Sequence, residues 1–218
     1  MLNEAGTITR LLEQFAPWRA AGDEVIVVDG GSSDDTAARA AALADLVLDA
    51  PRGRAHQQNA GAARARAPLL WFVHADSDIG GVSRDELLAA AVLRPWGRCA
   101  VRIDDPAPIF RCIEAAMNLR TRWTSVVTGD HGIYVRRSLF DAVGGMPELP
   151  LMEDIAFSAL LRRRARVHCL SSRIATSARR WRQHGILRTV LLMWALRAAW
   201  FCGVPAARLA RLYGYRPA

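Results

Sequence analysis

The sequence predicts an α/β fold, a mostly parallel sheet flanked by helices, and three observations carry this prediction. Apolar, strand-like runs recur at residues 24–29, 46–48 and 69–73. Two helical segments, residues 35–44 and the alanine-rich 54–66, lie between them. Only short turns join the five segments. Such alternation is typical of parallel strands covered by helices on both faces.

Local signals support these elements. Residues 24–29 are rich in β-branched side chains, as buried strands are. The Gly30-Gly31-Ser32-Ser33 stretch indicates a turn, and Ser33 or Asp34 can cap the helix that follows. Pro68 ends the second helix, because the residue before a proline avoids helical geometry.

The rest of the chain continues the same alternation. Its patterns predict helices at residues 85–93, 109–122, 138–143 and 153–164, and strands at 98–103, 132–135 and 167–170. The length of 218 residues suits one domain with a small appendage. We expect a main domain at residues 1–181 and a C-terminal helical segment at 182–218.

Composition bounds the setting and the partners. The formal net charge is +8 and every basic residue is arginine, which favours a polyanionic partner; the codon bias of a GC-rich genome is the alternative explanation. None of the four cysteines lies at CxxC spacing, so we expect a reducing, cytoplasmic setting. Nucleic acid is not expected as the partner, because aromatic and basic residues are not interleaved on the predicted strands.

Acidic side chains follow two predicted strands. The first strand ends at Asp29, and the 69–73 run continues into His74-Ala75-Asp76. Ligands of parallel sheets bind beyond the carboxyl ends of the strands, and carboxylates favour Mg²⁺ or Mn²⁺. We therefore expect Asp76 to hold such a cation on a nucleotide, with Asp78 helping through water. The alternative role for each acid is a turn or helix cap.

A second carboxylate pair follows a loop rich in glycine and proline. Glu153-Asp154 comes directly after residues 144–152, GGMPELPLM. A carboxylate placed after such a loop can act as a general base. The alternative is that both acids only complement the dipole of the helix they begin.

Five segments together resemble the motifs of the family-two inverting glycosyltransferases, and they occur in the right order. The nucleotide-binding motif is matched by DGGSSDDT at residues 29–36, and the D-x-D metal motif by HAD at 74–76. The other three are LNE at 2–4, which resembles the end of the first-strand motif, the GG…ED acceptor motif at Gly144-Gly145 and Glu153-Asp154, and SARRW at 177–181 in place of Q-x-x-R-W.

The resemblance implies a GT-A-type fold and inverting transfer from a nucleoside-diphosphate sugar to an acceptor hydroxyl, with Mg²⁺ or Mn²⁺ as the cofactor. The implied general base is Asp154, with Glu153 beside it. The implied diphosphate and acceptor residues are Asp130, Arg180 and Trp181, and the implied metal ligands are Asp76 and His74. The implied donor site consists of Glu4, Asp29, Gly31, Ser32, Asn59, His74 and Asp76.

Two departures from the family pattern have structural consequences. His74 replaces the first acid of the metal motif, so it either binds metal or donates a hydrogen bond to phosphate. The family's first strand is absent before Leu2, although in this fold it lies between the strands at 25–28 and 69–73. We therefore expect unpaired backbone there. We also expect a start upstream of Met1, which the intact mass of the native protein would test.

The segment at residues 186–201 is apolar except for Arg188 and Arg197. It is too short and too charged at its centre to be read as a membrane span. It could pack on the domain, form a dimer face, or lie in the interface of the inner face of the cell membrane with Trp194 and Trp200 at headgroup level. The oligomeric state stays open, and the acceptor is a small molecule or a lipid.

Two alternatives to a glycosyltransferase fit the same features. A nucleotidyltransferase shares a similar sheet and metal chemistry, although the glycine-rich loop with a basic residue that it usually carries is not found. A non-catalytic protein that binds anionic ligands or a membrane surface would also explain the charge. Metal-dependent binding of a nucleoside diphosphate separates the enzymes from the binding protein.

Overall fold

The structure, a computed structural model, describes residues 1–214. These contain seven strands, β1 Ile26–Asp29, β2 Leu46–Asp49, β3 Leu69–Phe72, β4 Ser77–Asp78, β5 Trp96–Asp104, β6 Ile133–Arg136 and β7 His168–Ser177. They also contain eleven α-helices, α1 Ile8–Gln14, α2 Ala16–Ala20, α3 Thr36–Ala41, α4 Arg54–Arg64, α5 Arg84–Leu93, α6 Pro108–Thr124, α7 Arg137–Ala142, α8 Glu153–Arg162, α9 Arg179–His184, α10 Ile186–Phe201 and α11 Ala206–Leu212.

The strands form two sheets. Strands β1 and β2 make a parallel pair, and the other five are arranged in the order β3-β6-β5-β7-β4. The predicted α/β class is confirmed, but the mostly parallel pairing is wrong for the larger sheet, where only β5 and β7 are parallel. Strand β6 runs between β3 and β5 in the opposite direction. An apolar strand buried on both faces reads the same in either direction, so the sequence pattern does not reveal this.

Both faces of the larger sheet are covered. On one face, side chains of α4, α7 and α8 pack around Trp96, whose Nε1 donates to the Ala165 carbonyl at 2.7 Å. On the other face, α1 and α5 pack against Tyr134, Leu170 and Ile174. This double burial explains why the strand interiors are apolar and why charged side chains collect at their ends.

A gap separates β1 from β3. The facing edges of these strands border two cavities of about 580 and 200 Å³. Within residues 1–214, the backbone of Met1 is the one segment that pairs along this edge of β1: its amino group donates to the Val28 carbonyl at 2.7 Å, and Gly30 N–H donates to its carbonyl at 2.9 Å. This is a parallel bridge opposite Asp29. The unpaired backbone expected between the two strands is therefore confirmed.

The C-terminal part is helical and packs on the domain. Leu196 of α10 and Leu209 of α11 are buried with Leu151, Met152 and Ile155, where α8 begins. None of the helices among residues 1–214 has the length and hydropathy needed to cross a membrane. The boundary expected at residue 181 stays a prediction.

Candidate active site

One cavity of about 390 Å³ brings together side chains from distant parts of the chain. Its polar lining is dominated by carboxylates and guanidinium groups. The charged residues that line it are Asp76, Asp130, Asp154, Arg54, Arg179, Arg180 and Arg197. Four cations beside three acids form a site suited to an anionic ligand that also carries a cation.

Asp154 is held at the start of α8 by backbone donors. Its Oδ2 accepts from Gly129 N–H at 2.9 Å, and its Oδ1 accepts from Ile155 N–H at 2.7 Å. Two residues earlier, Met152 at the helix N-cap is buried and has a left-handed backbone with φ of 67°. Strained backbone of this kind persists where the surrounding structure fixes it. The Asp154 carboxylate is thus fixed in orientation while it lines the cavity.

Glu153, unlike Asp154, does not line the cavity. It is buried, its Oε1 lies 2.7 Å from Arg54 Nε, and its Oε2 has no hydrogen-bond partner. Burial and the neighbouring Asp154 charge raise the pKa of Glu153 to about 7, against the opposing effect of Arg54. The structure therefore separates the two acids that the sequence groups together: Asp154 lines the cavity, and Glu153 holds Arg54 from below the surface.

Asp130 and His74 form a pair at the turn Gly129–His131. His74 Nδ1 lies 3.7 Å from Asp130 Oδ1. Burial raises the pKa of Asp130, but the hydrogen bond and charge of His74 outweigh it and hold the value down at about 2. Burial alone would lower the pKa of His74, and Asp130 reverses this so that the pKa is raised. The next residue, His131, turns into the core, where burial lowers its pKa to about 3.

Of the two residues expected to hold a metal, Asp76 and His74, only Asp76 lines the cavity. The ring of His74 faces Asp130 through Nδ1, and a Cβ on Gly129 would lie 2.5 Å from its Nε2. Among residues 1–214, no group of three or more His, Cys, Asp or Glu side chains forms a ready-made metal cage.

Asp29, which the resemblance places in the donor site, is not among the residues that line this cavity. It is buried and accepts three hydrogen bonds from its own turn: from Gly31 N–H at 3.1 Å, Ser32 N–H at 2.7 Å and Ser32 Oγ at 2.5 Å. Gly31 has φ of 85°, which allows the chain to fold back on the carboxylate. Most of the roughly four acceptor positions of this carboxylate are therefore occupied by its own turn.

Two other predicted donor residues, Glu4 and Asn59, are held by contacts with other parts of the protein. Glu4 accepts from Thr7 Oγ1 at 2.9 Å and lies 3.5 Å from Arg179. Asn59 both donates to and accepts from the backbone of Met146, at 2.9 and 2.8 Å. This pair of bonds clamps the Gly144-Gly145 loop, so Asn59 is placed to support the acceptor loop.

Arg180 and Trp181 follow β7 directly and line the cavity. The Arg180 guanidinium lies 4.3 Å from the ring centroid of Tyr213, and Trp181 packs edge-on against Phe110 at 6.2 Å. Burial and the charge of Arg54 lower the pKa of Arg180. Sequence reasoning did not find Arg54 or Arg197 as site residues, because arginines inside helical segments carry no motif signal.

The two sheets and the helices that cover them define the fold class. The fold is that of the GT-A glycosyltransferases. S. aureus TarS superimposes with a TM-score of 0.66 at 19% identity, over 81% of this chain and 35% of that chain. A mannosyltransferase from Pyrobaculum calidifontis, PcManGT, gives 0.59 at 22% identity, over 80% of this chain and 54% of the other. Glucosyl-3-phosphoglycerate synthase from Mycobacterium tuberculosis gives 0.55 at 19%, over 81% and 67%.

Within that class, residues 1–79 match the family described as glycosyl transferase family 2. The resemblance predicted from the motifs is thereby confirmed for this part of the chain. No curated protein is significantly similar to the chain in sequence. The chain spans only 35% of TarS and 58% of its shorter form, residues 1–349.

Proposed function

We propose that this protein transfers a sugar from a nucleoside-diphosphate sugar to an acceptor hydroxyl, with inversion at the anomeric carbon. The observation that carries the proposal is the single cavity in which Asp154 faces arginines and Asp76 within a GT-A fold. It is supported by the solved structures of similar fold, which are described as complexes with UDP, with GDP-Man and Mn²⁺, or with UDP and Mn²⁺.

Asp154 is the proposed general base. The acceptor oxygen attacks the anomeric carbon as Asp154 takes the hydroxyl proton, and the bond from that carbon to the diphosphate oxygen breaks on the opposite face. This geometry inverts the configuration. The two backbone hydrogen bonds to Asp154 support this role, because a general base must be held within reach of the proton.

The arginines are the proposed partners of the leaving diphosphate, whose negative charge grows as the sugar departs. Arg54, Arg180 and Arg197 line the cavity, and the charges of Arg180 and Arg197 are partly desolvated, which strengthens electrostatic attraction relative to water. Trp181 offers an aromatic edge beside them for the sugar or the acceptor. The carboxylate of Asp130, kept ionised by His74, is the proposed hydrogen-bond acceptor for a sugar hydroxyl.

Mg²⁺ or Mn²⁺ is the proposed cofactor, with Asp76 as its protein ligand. When bound, such an ion neutralises diphosphate charge. His74 is proposed to orient Asp130 rather than to bind the cation, since both of its ring nitrogens are directed elsewhere. The turn at residues 29–33 is the proposed edge for the nucleoside, with Asp29 holding the turn in shape by accepting from the N–H groups of Gly31 and Ser32.

Proton NMR of a turnover reaction tests this function. The protein is incubated with UDP- and GDP-linked α-sugars, Mn²⁺, and a set of small and amphiphilic alcohols. The expected result is release of one nucleoside diphosphate together with a β-linked product. An α-linked product would contradict the inverting mechanism, and transfer of the nucleotidyl group to the acceptor would show the alternative, nucleotidyltransferase chemistry.

A further inference from the structure

Helix α10 exposes a stripe of large apolar side chains. Leu187, Leu191, Trp194 and Phe201 are 70, 54, 64 and 63% exposed. Their spacing puts them on one face of the helix. Leu196 is buried on the opposite side of the helix, and Arg197 beside it lines the cavity of the candidate site, where burial lowers its pKa. A surface helix normally turns its apolar stripe inward and its charges outward, so this outward stripe needs a partner.

A second exposed apolar stripe lies on α6. Ile109, Leu119 and Trp123 are 48, 47 and 78% exposed and share a face of that helix. Both helices border the candidate site, since Met117 of α6 and Met193 of α10 line the same cavity. The two stripes therefore belong to the same part of the molecule as the proposed acceptor site.

Charge along the chain is strongly polarised toward its C-terminal part, which includes α10. Residues 155–218 contain 13 of the 29 arginines and none of the 21 acidic residues. Their formal charge is +13, and that of residues 1–154 is −5. Arg188 of α10 and Arg208 and Arg211 of α11 are exposed. The apolar stripe thus lies in the most basic part of the chain.

A surface that is both apolar and basic favours an anionic bilayer over a second copy of this chain as its partner. A second copy of the chain would bring like charges together at the interface, which is unfavourable. An anionic bilayer accepts both features, because apolar side chains enter the acyl boundary, tryptophans lie at headgroup level, and arginines contact lipid phosphate. Since none of the helices in residues 1–214 can cross a bilayer, this contact lies along the surface.

We propose that the apolar stripes of α10 and α6 dock this protein on an anionic lipid surface. Resting on the proposed function, the inference also names the acceptor class: an amphiphile whose hydroxyl extends from the bilayer into the cavity that holds Asp154. The apolar residues Met117, Met193 and Leu196 line the cavity beside the charged ones, as contact with such a molecule requires.

Vesicle co-sedimentation of the whole chain tests the docking. The vesicles contain phosphatidylcholine alone or with about 30% phosphatidylglycerol, at low salt. We expect pelleting with the anionic vesicles only, and weaker pelleting as salt screens the arginines. The double variant Leu191→Glu/Trp194→Glu should bind about tenfold more weakly or worse, because it removes two inserted side chains and adds two negative charges.

The matched control is Val92→Glu/Leu93→Glu on α5, which removes two residues of 76 and 72% exposure and adds the same charge. It should bind vesicles like the unaltered protein, with both variants melting at similar temperatures. The proposal would be overturned if the two double variants lost vesicle binding equally, or if the unaltered chain did not pellet with anionic vesicles. Binding to short duplex DNA as tight as that to the vesicles would also overturn it. Calorimetric binding of nucleoside diphosphate separates this failure from that of the proposed function, because the cavity arginines are unchanged.

Discussion

The two sheets carry the same kind of chain segment, a strand followed by an aspartate, with opposite outcomes. After β1, the glycine and serine residues fold back, and Asp29 accepts three hydrogen bonds from the N–H groups and hydroxyl of its own turn. After β3, the chain continues into β4, and Asp76 is left lining the cavity with Asp130 and Asp154. An acid at a strand end therefore faces a ligand only when the residues after it do not supply its hydrogen bonds.

The sheets also differ in how completely they are paired. In the larger sheet each of β5, β6 and β7 has two neighbours, whereas β1 has β2 on one side and a cavity on the other. Met1 closes only the last position of this open edge. The site that we propose for catalysis thus lies on the better-paired part of the molecule, as the precise placement of a base requires.

Replacing Asp154 should have the largest effect, because Asp154 is the one acid proposed to take a proton. Asp154→Asn keeps the shape of the side chain and removes its basicity, so turnover should fall by about 10²- to 10⁴-fold. Nucleoside diphosphate affinity should change little. Steady-state rates and calorimetry on the same sample measure the two effects.

The matched control for that change is Asp85→Asn, an exposed acid in the first turn of α5. It should leave both turnover and binding unaltered. Parallel loss of turnover and nucleotide affinity in Asp154→Asn would instead assign Asp154 to the architecture of the loop.

Filling the open edge of β1 should have the next largest effect. A four-residue Val/Ile segment fused before Met1 would continue the parallel bridge that Met1 begins, beside Val28 and toward β3. It would also relieve the buried N-terminal amine, whose pKa is lowered by burial. We expect the melting temperature to rise by about 5–10 °C, equivalent to roughly 2–3 kcal/mol.

A Gly/Ser segment of equal length is the control for the fusion, because it relieves the amine without supplying apolar side chains. It should give a clearly smaller rise. Equal melting temperatures for the two fusions would mean that the cavities between β1 and β3 do not accept a strand.

Glu153 gives a smaller, pH-dependent effect. Its pKa is raised from 4.5 to about 7 in the folded state, so the folded protein binds more protons than the unfolded chain between these values. Stability contributed by this group is therefore lost as pH rises through that window, by at most about 1.4 kcal/mol per pH unit. Glu153→Gln should remove that slope.

Urea unfolding at pH 5.0 and 7.5 measures this as a double difference between the variant and the unaltered protein. At pH 5.0 the free energy of unfolding of the unaltered protein should be higher, relative to that of Glu153→Gln, than it is at pH 7.5. An identical pH dependence in both would show that Glu153 remains ionised beside Arg54 throughout.

The smallest effect is expected in the β1 turn. Ser32→Ala removes the hydroxyl that donates to Asp29 and leaves the two backbone donors in place. We expect a loss of about 1 kcal/mol in the free energy of unfolding. Ser33→Ala, at the next position of the turn, is the comparison. A larger loss there would mean that Asp29 is not what holds the turn.

Much of this arrangement could be predicted from the sequence, and the exceptions share a physical cause. The α/β class, the first three strands and the grouping of Asp76 with Asp154 follow from apolar patterning and motif order. The hydrogen bonding of Asp29 by its own turn depends on the φ of Gly31, and the reversal of β6 on the direction of a buried strand. Arg54 and Arg197 enter the site through packing of helices distant in sequence. Periodicity and motifs record none of these.

Calorimetry of nucleoside diphosphate binding, with Mn²⁺ and with chelator, most directly tests whether the cavity of Asp76, Asp154 and the arginines is the donor site. We predict binding that requires the cation, that is lost in Asp76→Asn, and that survives in the neighbouring Asp78→Asn, because Asp78 pairs with Arg10 instead. Equal binding with and without Mn²⁺, or unaltered binding in Asp76→Asn, would contradict it.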